Sequence, residues 1–564
     1  MRSIAFHMKL AVLLLGLFFW QVSIPKYVRA MDITSSIIFQ AMEEEMHRSL
    51  NHLKIDIFDP PYFIKYQIRH IDHIRVVGSF GSLIDSNQFQ ERTLFVDVRL
   101  GDSKFDSSTP GSHQYKVKQL LPLDDDIDAL KRALWYETDL RYKQAIMNYM
   151  KKKGRFISGV EKHELADFSK GHDPVVLISS APGFSSNIQE WENVVRRTSA
   201  LFKQAPEIEK SSVKIYADRA VRYYYDSEGN KIRSDSINYR ITLEAWTKGE
   251  NGSPVHDQET LFFTKEKNFP SKELLEEKVD RLIQGIKKLQ EAPKAETYVG
   301  PALFSPDAAA VLIHEAVGHR LEVDRLRVAT DGKTFMKKIG KRILPSFLTV
   351  LDNPQIKQLN GVDLVGHYLF DDEGQKGEKV VLIDQGVLKS FLLSRSPVLG
   401  SEKTNGHARS DGIKAPMSRM GNLIVRSTKK VSSKKLKQLL IEEVQKQKKP
   451  YGLFIKKIEG GETQTESANF QVFKGKPVYL YKVYPQDGRE ELVRGVEFVG
   501  TPLSMISKVI ATGDDTQVVN GFCGAESGFL PVTSVTPSFL LSEVELQLSH
   551  EQLLRRPILP PPPL

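Results

Sequence analysis

Residues 304–319 read Phe-Ser-Pro-Asp-Ala-Ala-Ala-Val-Leu-Ile-His-Glu-Ala-Val-Gly-His. This stretch opens with three residues that favour the first turn of a helix, Ser305, Pro306 and Asp307. Residues 308–313 are apolar throughout, which predicts a helix that is buried nearly all round. The same helix then carries three side chains that can bind a metal or transfer a proton, His314, Glu315 and His319.

The two histidines are five positions apart, whereas zinc-protease helices usually place theirs four apart. On an ideal α-helix this separation rotates the side chains by about 140° and prevents them from binding one metal. A one-residue π-type bulge would return both to one face, and Gly318 is well placed to permit it. The sequence therefore predicts a distorted helix with a shared metal. The alternative is two core histidines bonded to backbone carbonyls.

A catalytic zinc needs a third protein ligand and an open position for water. Cys523 is the candidate, because it lies in Asn520-Gly-Phe-Cys-Gly524, where the glycines let the backbone approach closely. It is the single cysteine of the chain, which excludes an intrachain disulfide and four-cysteine zinc or iron–sulfur sites. The alternative is that Cys523 is a small buried hydrophobic residue.

Length and composition indicate a folded protein of roughly two to four domains. The chain has 564 residues, of which 40% are hydrophobic and 26% charged, as in ordinary globular proteins. The pattern predicts an α+β fold with two domains, a mixed N-terminal domain at 31–295 and a β-rich C-terminal domain at 296–550 that carries the zinc-binding helix. Residues 551–564 are expected to form a proline-rich tail.

Periodicity locates the main elements. Helices are expected at residues 37–53, 127–152, 272–290 and 433–447, the second ending at Gly154 as its cap. Strands are expected at residues 62–68, 74–84, 92–100, 213–225 and 232–246. We interpret the many lysines of the 433–447 helix as a solvated face rather than a grip on an anionic partner.

Residues 1–30 have the features of a secretory signal peptide. Arg2 and Lys9 precede an apolar run at 10–20, and Val-Arg-Ala follows at 28–30. We therefore expect an exported, periplasmic protein with no stable membrane span after signal removal, the alternative being an uncleaved anchor. The segment holds four Lys or Arg and no acid, so the formal net charge of +9 falls to +5 without it. This small excess argues against a nucleic-acid partner.

The chain resembles the TldD/PmbA metallopeptidases, specifically the metal-bearing TldD side. The resemblance begins with His-Glu-Ala-Val-Gly-His at 314–319 followed by Leu-Glu-Val-Asp at 321–324. It continues through separated motifs in the same order, Ala-Pro-Met-Ser-Arg-Met-Gly-Asn at 415–422, the glycine pair at 460–461, Arg-Gly-Val at 494–496 and residues 520–532. It thus covers roughly residues 295 to 545.

This resemblance implies zinc held by His314, His319 and Cys523, with Glu315 as the general base. It also implies a two-domain subunit that acts on peptides or unfolded polypeptide as a homodimer or as a heterodimer with a family paralogue. The chain departs from the usual family pattern at Arg320, Val323 and the alanine after Gly524. These departures concern the shape of the substrate site more than metal binding.

Other motif residues have two interpretations each. Glu322 and Asp324 either hydrogen-bond the distal nitrogens of the ligands or are surface carboxylates. Gly460 and Gly461 either expose backbone to which an extended peptide substrate pairs as an added strand, or form a tight turn. Arg419 either clamps a carboxylate or is structural.

The sequence thus favours an exported zinc metallopeptidase in which Glu315 takes a proton from a zinc-activated water. The first alternative is a zinc-stabilised, non-catalytic peptide-binding or scaffold subunit of a heteromeric complex. The second is a basic surface-binding protein that acts through residues 433–447, which the small net charge disfavours.

Overall fold

The computed structural model describes residues 36–55, 57–108, 118–159, 165–179, 184, 187–249, 252–327, 335–398, 403–463, 473–500, 502–549, 553–554 and 559. The signal peptide predicted at 1–30 and most of the tail predicted at 551–564 lie outside the described residues. The architecture is α+β, as the sequence predicts, with a mixed N-terminal region and a β-rich C-terminal region.

The N-terminal region is built on a mostly antiparallel sheet of two long hairpins with shorter strands beside them. Its strands are β1 Phe63–Ser79, β2 Ser82–Arg99, β3 Gln119–Leu120, β4 Val176–Ile178, β5 Lys210–Asp226, β6 Lys231–Lys248 and β7 Pro254–Phe263. The order across the sheet is β3-β2-β1-β5-β6-β4, in which β4 pairs with β6 in parallel, and β7 also pairs with β6. The four hairpin strands have 17 or 18 residues each, so the sheet is long enough to carry two separate cores.

Within the described residues, four helices cover one face of this sheet. They are α1 Ile37–His52, α2 Ile127–Ile157, α3 Ile188–Ala200 and α4 Lys272–Glu291. Alternate residues of a strand point to the same face, and Ile64 and Ile74 of β1 are buried beneath these helices. Helices α1 and α2 pack near Ile64, and α3 and α4 pack near Ile74. The opposite face of the sheet is left to meet the C-terminal region.

The C-terminal region is rich in short strands. They are β8 Tyr298–Phe304, β9 Leu348–Asp352, β10 Gln358–Leu359, β11 Val362–Asp363, β12 Val380–Asp384, β13 Val387–Leu388, β14 Ala408–Arg409, β15 Met417–Ser418, β16 Asn422–Ser427, β17 Lys430–Val431, β18 Gly452–Thr463, β19 Phe473–Val483, β20 Glu490–Val493, β21 Val496–Gly500, β22 Val509–Gly513, β23 Gln517–Ala525, β24 Gly528–Thr536 and β25 Phe539–Leu548. The helices that follow α4 are α5 Pro306–Ile313, α6 Asp324–Arg327, α7 Ser433–Lys446 and α8 Pro502–Ile506.

Two larger sheets organise these strands. One has the order β13-β12-β9-β16-β24-β23. The other runs β17-β22-β25-β21-β19-β18-β8, and β8 also pairs with β25, which closes β8, β18, β19, β21 and β25 into a ring. Helix α5 starts where β8 leaves this ring, and it packs against β18 and β24. The helix with the two histidines therefore lies between the two sheets.

The prediction of one strand was wrong. The strand predicted at 74–84 crosses a hairpin turn, since β1 ends before Phe80 and β2 begins after Gly81. These two residues have φ angles of 45° and 81°. A phenylalanine rarely adopts positive φ, so an apolar pattern running through it gave no sign of a turn.

The bounds of the helices agree better with those predicted from the sequence. Those predicted at 37–53, 272–290 and 433–447 are confirmed to within one residue at each end. The helix predicted at 127–152 continues to Ile157 instead of ending at a Gly154 cap. The backbone N–H of Ser158 bonds to the Gly154 carbonyl, so the helical ladder passes through the glycine without a break.

The free face of the N-terminal sheet meets the C-terminal region in two ways. Arg69 and Arg222 form ion pairs with the buried Asp372 at 2.7 and 2.9 Å. Farther along the same sheet, both regions line a cavity of about 1300 Å³. In the described part of the chain, every helix is too short or too polar to cross a membrane.

Candidate metal centre

The helix that follows β8 is distorted where the two histidines stand. Ser305 caps α5, its Oγ accepting the backbone N–H of Ala308. The regular helix ends at Ile313, and His314–Gly318 form a π-helical turn. This widened turn confirms the distortion predicted from the five-residue spacing, and it brings both imidazoles to one side of the helix.

Gly318 permits this turn because it has no side chain. Its φ of −54° and ψ of −61° are ordinary right-handed helical values. A Cβ at this position would lie 2.0 Å from Sδ of Met420, a fully buried residue. The glycine therefore lets the turn pack closely against Met420, and backbone freedom plays no part.

The predicted ligands meet at one point. Cys523 on β23 places its Sγ 3.2 Å from Nε2 of His314 and 3.2 Å from Nε2 of His319. The donor atoms of the three residues all lie within 4.8 Å of one another, and the two imidazole rings are perpendicular. We refer to His314, His319 and Cys523 as the three-ligand cluster.

The cluster has the separations that a tetrahedral metal site requires. Zinc bonds of about 2.0 Å to nitrogen and 2.3 Å to sulfur place neighbouring N and S ligands about 3.5 Å apart. The observed contacts of 3.2 Å are close to this value. Two imidazole nitrogens and one thiolate are also ligands that zinc prefers, so the residues present fit this metal.

Charge favours the metal-binding form of the cysteine. Burial alone would raise the pKa of the Cys523 thiol, but His319 and His314 lower it to about 4. Burial in turn lowers the pKa of His319, whereas Glu322 and Cys523 raise it, to about 10 in the protein without metal. Cys523 is therefore a thiolate near neutral pH. Metal binding at Nε2 of His319 displaces the proton on that nitrogen.

Glu322 supports His319 from behind. Its Oε2 lies 2.9 Å from Nδ1 of His319 and accepts the Nε–H of Arg325 at 2.9 Å. Burial alone would raise the pKa of Glu322, but His319 and Arg325 hold it well below its usual value. Of the two interpretations that the sequence leaves open for Glu322, the structure shows the contact with a ligand. The carboxylate of Asp324 instead accepts the backbone N–H of Ser418.

Arg419 is buried and contacts both Glu322, the partner of His319, and the backbone of Cys523. Its Nη2 donates to the backbone carbonyl of Cys523 at 2.9 Å, and its Nε lies 3.4 Å from Oε1 of Glu322. It thus pairs with a carboxylate of the protein and also fixes the strand that carries Cys523. Sequence reasoning missed Arg325 and its second partner Glu526, which lie 2.6 Å apart.

Glu315 lies beside the cluster at the cavity. Its Oε2 is 4.0 Å from Nε2 of His319, and its side chain lines the cavity together with all three ligands. Gly461 on β18 packs directly on it, since a Cβ there would lie 2.6 Å from Cγ of Glu315. The structure thus brings the predicted base, the three ligands and one of the two predicted glycines together.

The glycine pair forms part of an irregular strand edge. The pairing of β18 with β19 shifts register between Ile458 and Gly461, and Gly460 within this bulge has a φ of 68°. The parallel pairing of β18 with β8 covers only residues 453–455, after which the strand borders the cavity. The glycines therefore lie in a bulged strand rather than in a tight turn.

The family described as PmbA/TldA metallopeptidase C-terminal domain matches residues 297–548, which include the entire three-ligand cluster. The C-terminal region of the chain belongs to the TldD/PmbA family. A metalloprotease of Methanocaldococcus jannaschii is 28% identical over 376 residues, which are 65% of this chain and 76% of that protein. A relative in Saccharolobus solfataricus named zinc metalloprotease TldD homolog is 25% identical over 400 residues, 69% of this chain and 82% of the relative.

The structural likeness to solved proteins extends beyond the matched domain. The crystal structure of TldE from Thermococcus kodakarensis superposes with a TM-score of 0.61, covering 90% of this chain and all of the TldE chain. The sequences are only 14% identical, so this likeness concerns the fold. The likeness of fold thus includes the N-terminal sheet as well as the matched domain.

Proposed function

We propose that this chain is a zinc-dependent peptidase whose centre is the three-ligand cluster with Glu315. The observation that carries the proposal is the meeting of His314, His319 and Cys523 within 4.8 Å at the wall of a large cavity. Zinc bound there would lower the pKa of a coordinated water and polarise a substrate carbonyl. The names of the curated relatives support a metallopeptidase.

The chain's own residues have separate roles in this proposal. Glu315 accepts a proton from the attacking water and returns it to the leaving amine, since its carboxylate faces the cavity next to His319. Glu322 holds the Nδ1 proton of His319 and so keeps Nε2 directed at Cys523. Arg419 keeps the backbone of Cys523 in place.

The substrate we propose is an extended peptide or an unfolded polypeptide segment. The cavity reaches from the N-terminal sheet to β23, and residues 456–458, 460 and 461 of β18 line it on the side where β8 has ended. A peptide there can bond to exposed strand backbone near Gly460 and Gly461, which places its carbonyls next to Glu315.

Export and assembly form part of the proposal. Residues 1–30 support secretion to the periplasm, where zinc ligation would protect the thiol of Cys523 from oxidation. The resemblance to the TldD side of the family supports a dimer, either of this chain alone or with a metal-free paralogue of the TldE kind.

Replacement of Glu315 tests the function. Glu315→Gln should retain zinc, measured by elemental analysis, and hydrolyse unfolded casein about 10²- to 10⁴-fold more slowly than the wild type. Glu543→Gln removes an equivalent charge outside the cavity lining, where Glu543 pairs with Lys508, and should not change the rate. Cys523→Ser should lose the zinc. A zinc-loaded wild type with no hydrolysis, tested alone and with a paralogue, would favour the scaffold subunit instead.

A further inference from the structure

An arginine of the N-terminal sheet lines the same cavity as the candidate metal centre. Arg240 lies on β6, directly opposite Tyr216 of β5 on one side and Phe262 of β7 on the other. All three residues line the cavity. They belong to the sheet face that carries no helices, because Tyr239 and Ile241 next to Arg240 are buried in the core under α3 and α4.

Aromatic rings hold the guanidinium group of Arg240. Its Cζ lies 4.5 Å from the ring centre of Tyr216 and 5.1 Å from that of Phe522. Phe522 is the residue before Cys523 on β23, so the guanidinium stands next to the strand that supplies a ligand. Stacking of this kind fixes the plane of an arginine while leaving its terminal N–H groups free to bind an acceptor.

Arg240 has no carboxylate partner among the described residues. Its Nε is buried without a hydrogen-bond acceptor. The acidic residues on the same wall of the cavity already have their own cations, in the pairs Glu244 with Lys214 at 2.6 Å, Glu259 with Lys278 at 3.1 Å and Asp257 with Lys457 at 2.6 Å. The positive charge of Arg240 therefore has no counterpart on this wall of the cavity.

We propose that Arg240 binds a carboxylate of the substrate and so selects peptides with an acidic side chain or a free C-terminus near the cleaved bond. This inference rests on the proposed peptidase function and narrows its substrate class. A planar guanidinium forms two parallel hydrogen bonds to a carboxylate, which a neutral amide cannot replace. Because the rings already fix the group, little side-chain entropy is lost on binding.

Peptide binding to the zinc-loaded Glu315→Gln protein, in which turnover is suppressed, tests this assignment. Two dye-labelled peptide pairs are compared by fluorescence anisotropy, one pair differing by Glu or Gln at one internal position and the other by a free or amidated C-terminus. At least one carboxylate peptide should bind about tenfold or more tightly than its amide counterpart. Adding Arg240→Met should remove that preference and leave the dissociation constants of the amide peptides within about twofold.

Two further variants separate charge from structure. Arg240→Lys keeps the charge without the planar fork and should retain part of the preference. Arg281→Met removes a cation that also lines the cavity but pairs with Glu277 within α4, so the full preference should remain. A preference only for the free C-terminus identifies the end of the chain as the ligand, and one only for Glu identifies a side chain.

Three outcomes would overturn the assignment. The first is equal binding of both members of each pair, and the second is a preference that survives Arg240→Met. The third is an equal loss of affinity for all four peptides in Arg240→Met and Arg240→Lys, which would show that Arg240 has a purely structural role. Failure of the peptidase proposal is seen separately, as absent hydrolysis of the same peptides by the protein with Glu315 intact. The binding comparison does not depend on that hydrolysis.

Discussion

Glu322 Oε2 lies 2.9 Å from His319 Nδ1, and both side chains are buried. A carboxylate in this position fixes the proton on Nδ1 and leaves Nε2 for a metal. Arg325 and Arg419 contact the same carboxylate at 2.9 and 3.4 Å, so Glu322 cannot easily turn away. The orientation of one metal ligand therefore depends on a small buried network of charges.

We expect Glu322→Gln to weaken zinc binding about 10- to 100-fold. A neutral amide accepts the Nδ1 proton less strongly than a carboxylate does, so His319 becomes a weaker zinc ligand. Competition with a chromophoric chelator measures the affinity. Glu526→Gln is the matched control, since it also removes a partner of Arg325 but has no contact with His319, and it should bind zinc nearly as the wild type does. Equal affinities of Glu322→Gln and the wild type would contradict the role assigned to Glu322.

Gly461→Ala should slow hydrolysis without loss of zinc. The added Cβ would lie 2.6 Å from Cγ of Glu315 and 2.9 Å from Cγ1 of Val311, so the glutamate must move. A displacement of about 1 Å in a catalytic group can cost about 10²-fold in rate. We expect at least a tenfold lower kcat with unchanged zinc content. An unchanged kcat would show that Glu315 is not held by this strand, or is not the base.

Gly318→Ala should destabilise the C-terminal region, since the Cβ would overlap Sδ of Met420 at 2.0 Å. Overpacking of this kind costs about 1–3 kcal/mol, which corresponds to a melting temperature lower by several degrees. Gly521→Ala on β23 is the control, because that position has open space and should melt as the wild type does. Thermal unfolding of the zinc-loaded proteins measures both. Identical melting of the two variants would mean that the π-helical turn can move away from Met420.

The local features of the site could be predicted from the sequence. The π-helical turn follows from helix geometry once His314 and His319, five residues apart, are expected to bind one metal. Glu322 lies one turn after His319, so its contact with that ring is also local. Both predictions needed only residues that are close along the chain.

The features that the sequence did not reveal depend on residues far apart along the chain. Arg419 reaches Glu322 and the Cys523 carbonyl from positions about 100 residues away from either, and no periodicity encodes such a meeting. Arg240 faces Phe522 only because the pairing of β5, β6 and β7 turns it towards the cavity. Shifting this register by one residue would bury Arg240 beneath the helices.

Asp372 provides a prediction about pH. Burial alone would raise its pKa, but the ion pairs with Arg69 and Arg222 hold it below the usual value. Unfolded aspartate has a pKa of about 3.9, so the ion pairs should contribute fully above that pH and progressively less as the pH falls below it. Asp372→Asn should cost about 3 kcal/mol at pH 7, because two partly buried arginines lose the carboxylate that they share. The difference in melting temperature between wild type and variant should therefore begin to narrow below about pH 4 and continue to narrow as the pH falls towards the lowered pKa of Asp372. Asp139→Asn, which breaks an exposed pair with Lys143, should melt within about 1 °C of the wild type throughout. A gap between Asp372→Asn and wild type that stayed constant down to pH 3 would show that the ionised form of Asp372 does not stabilise the contact between the two regions.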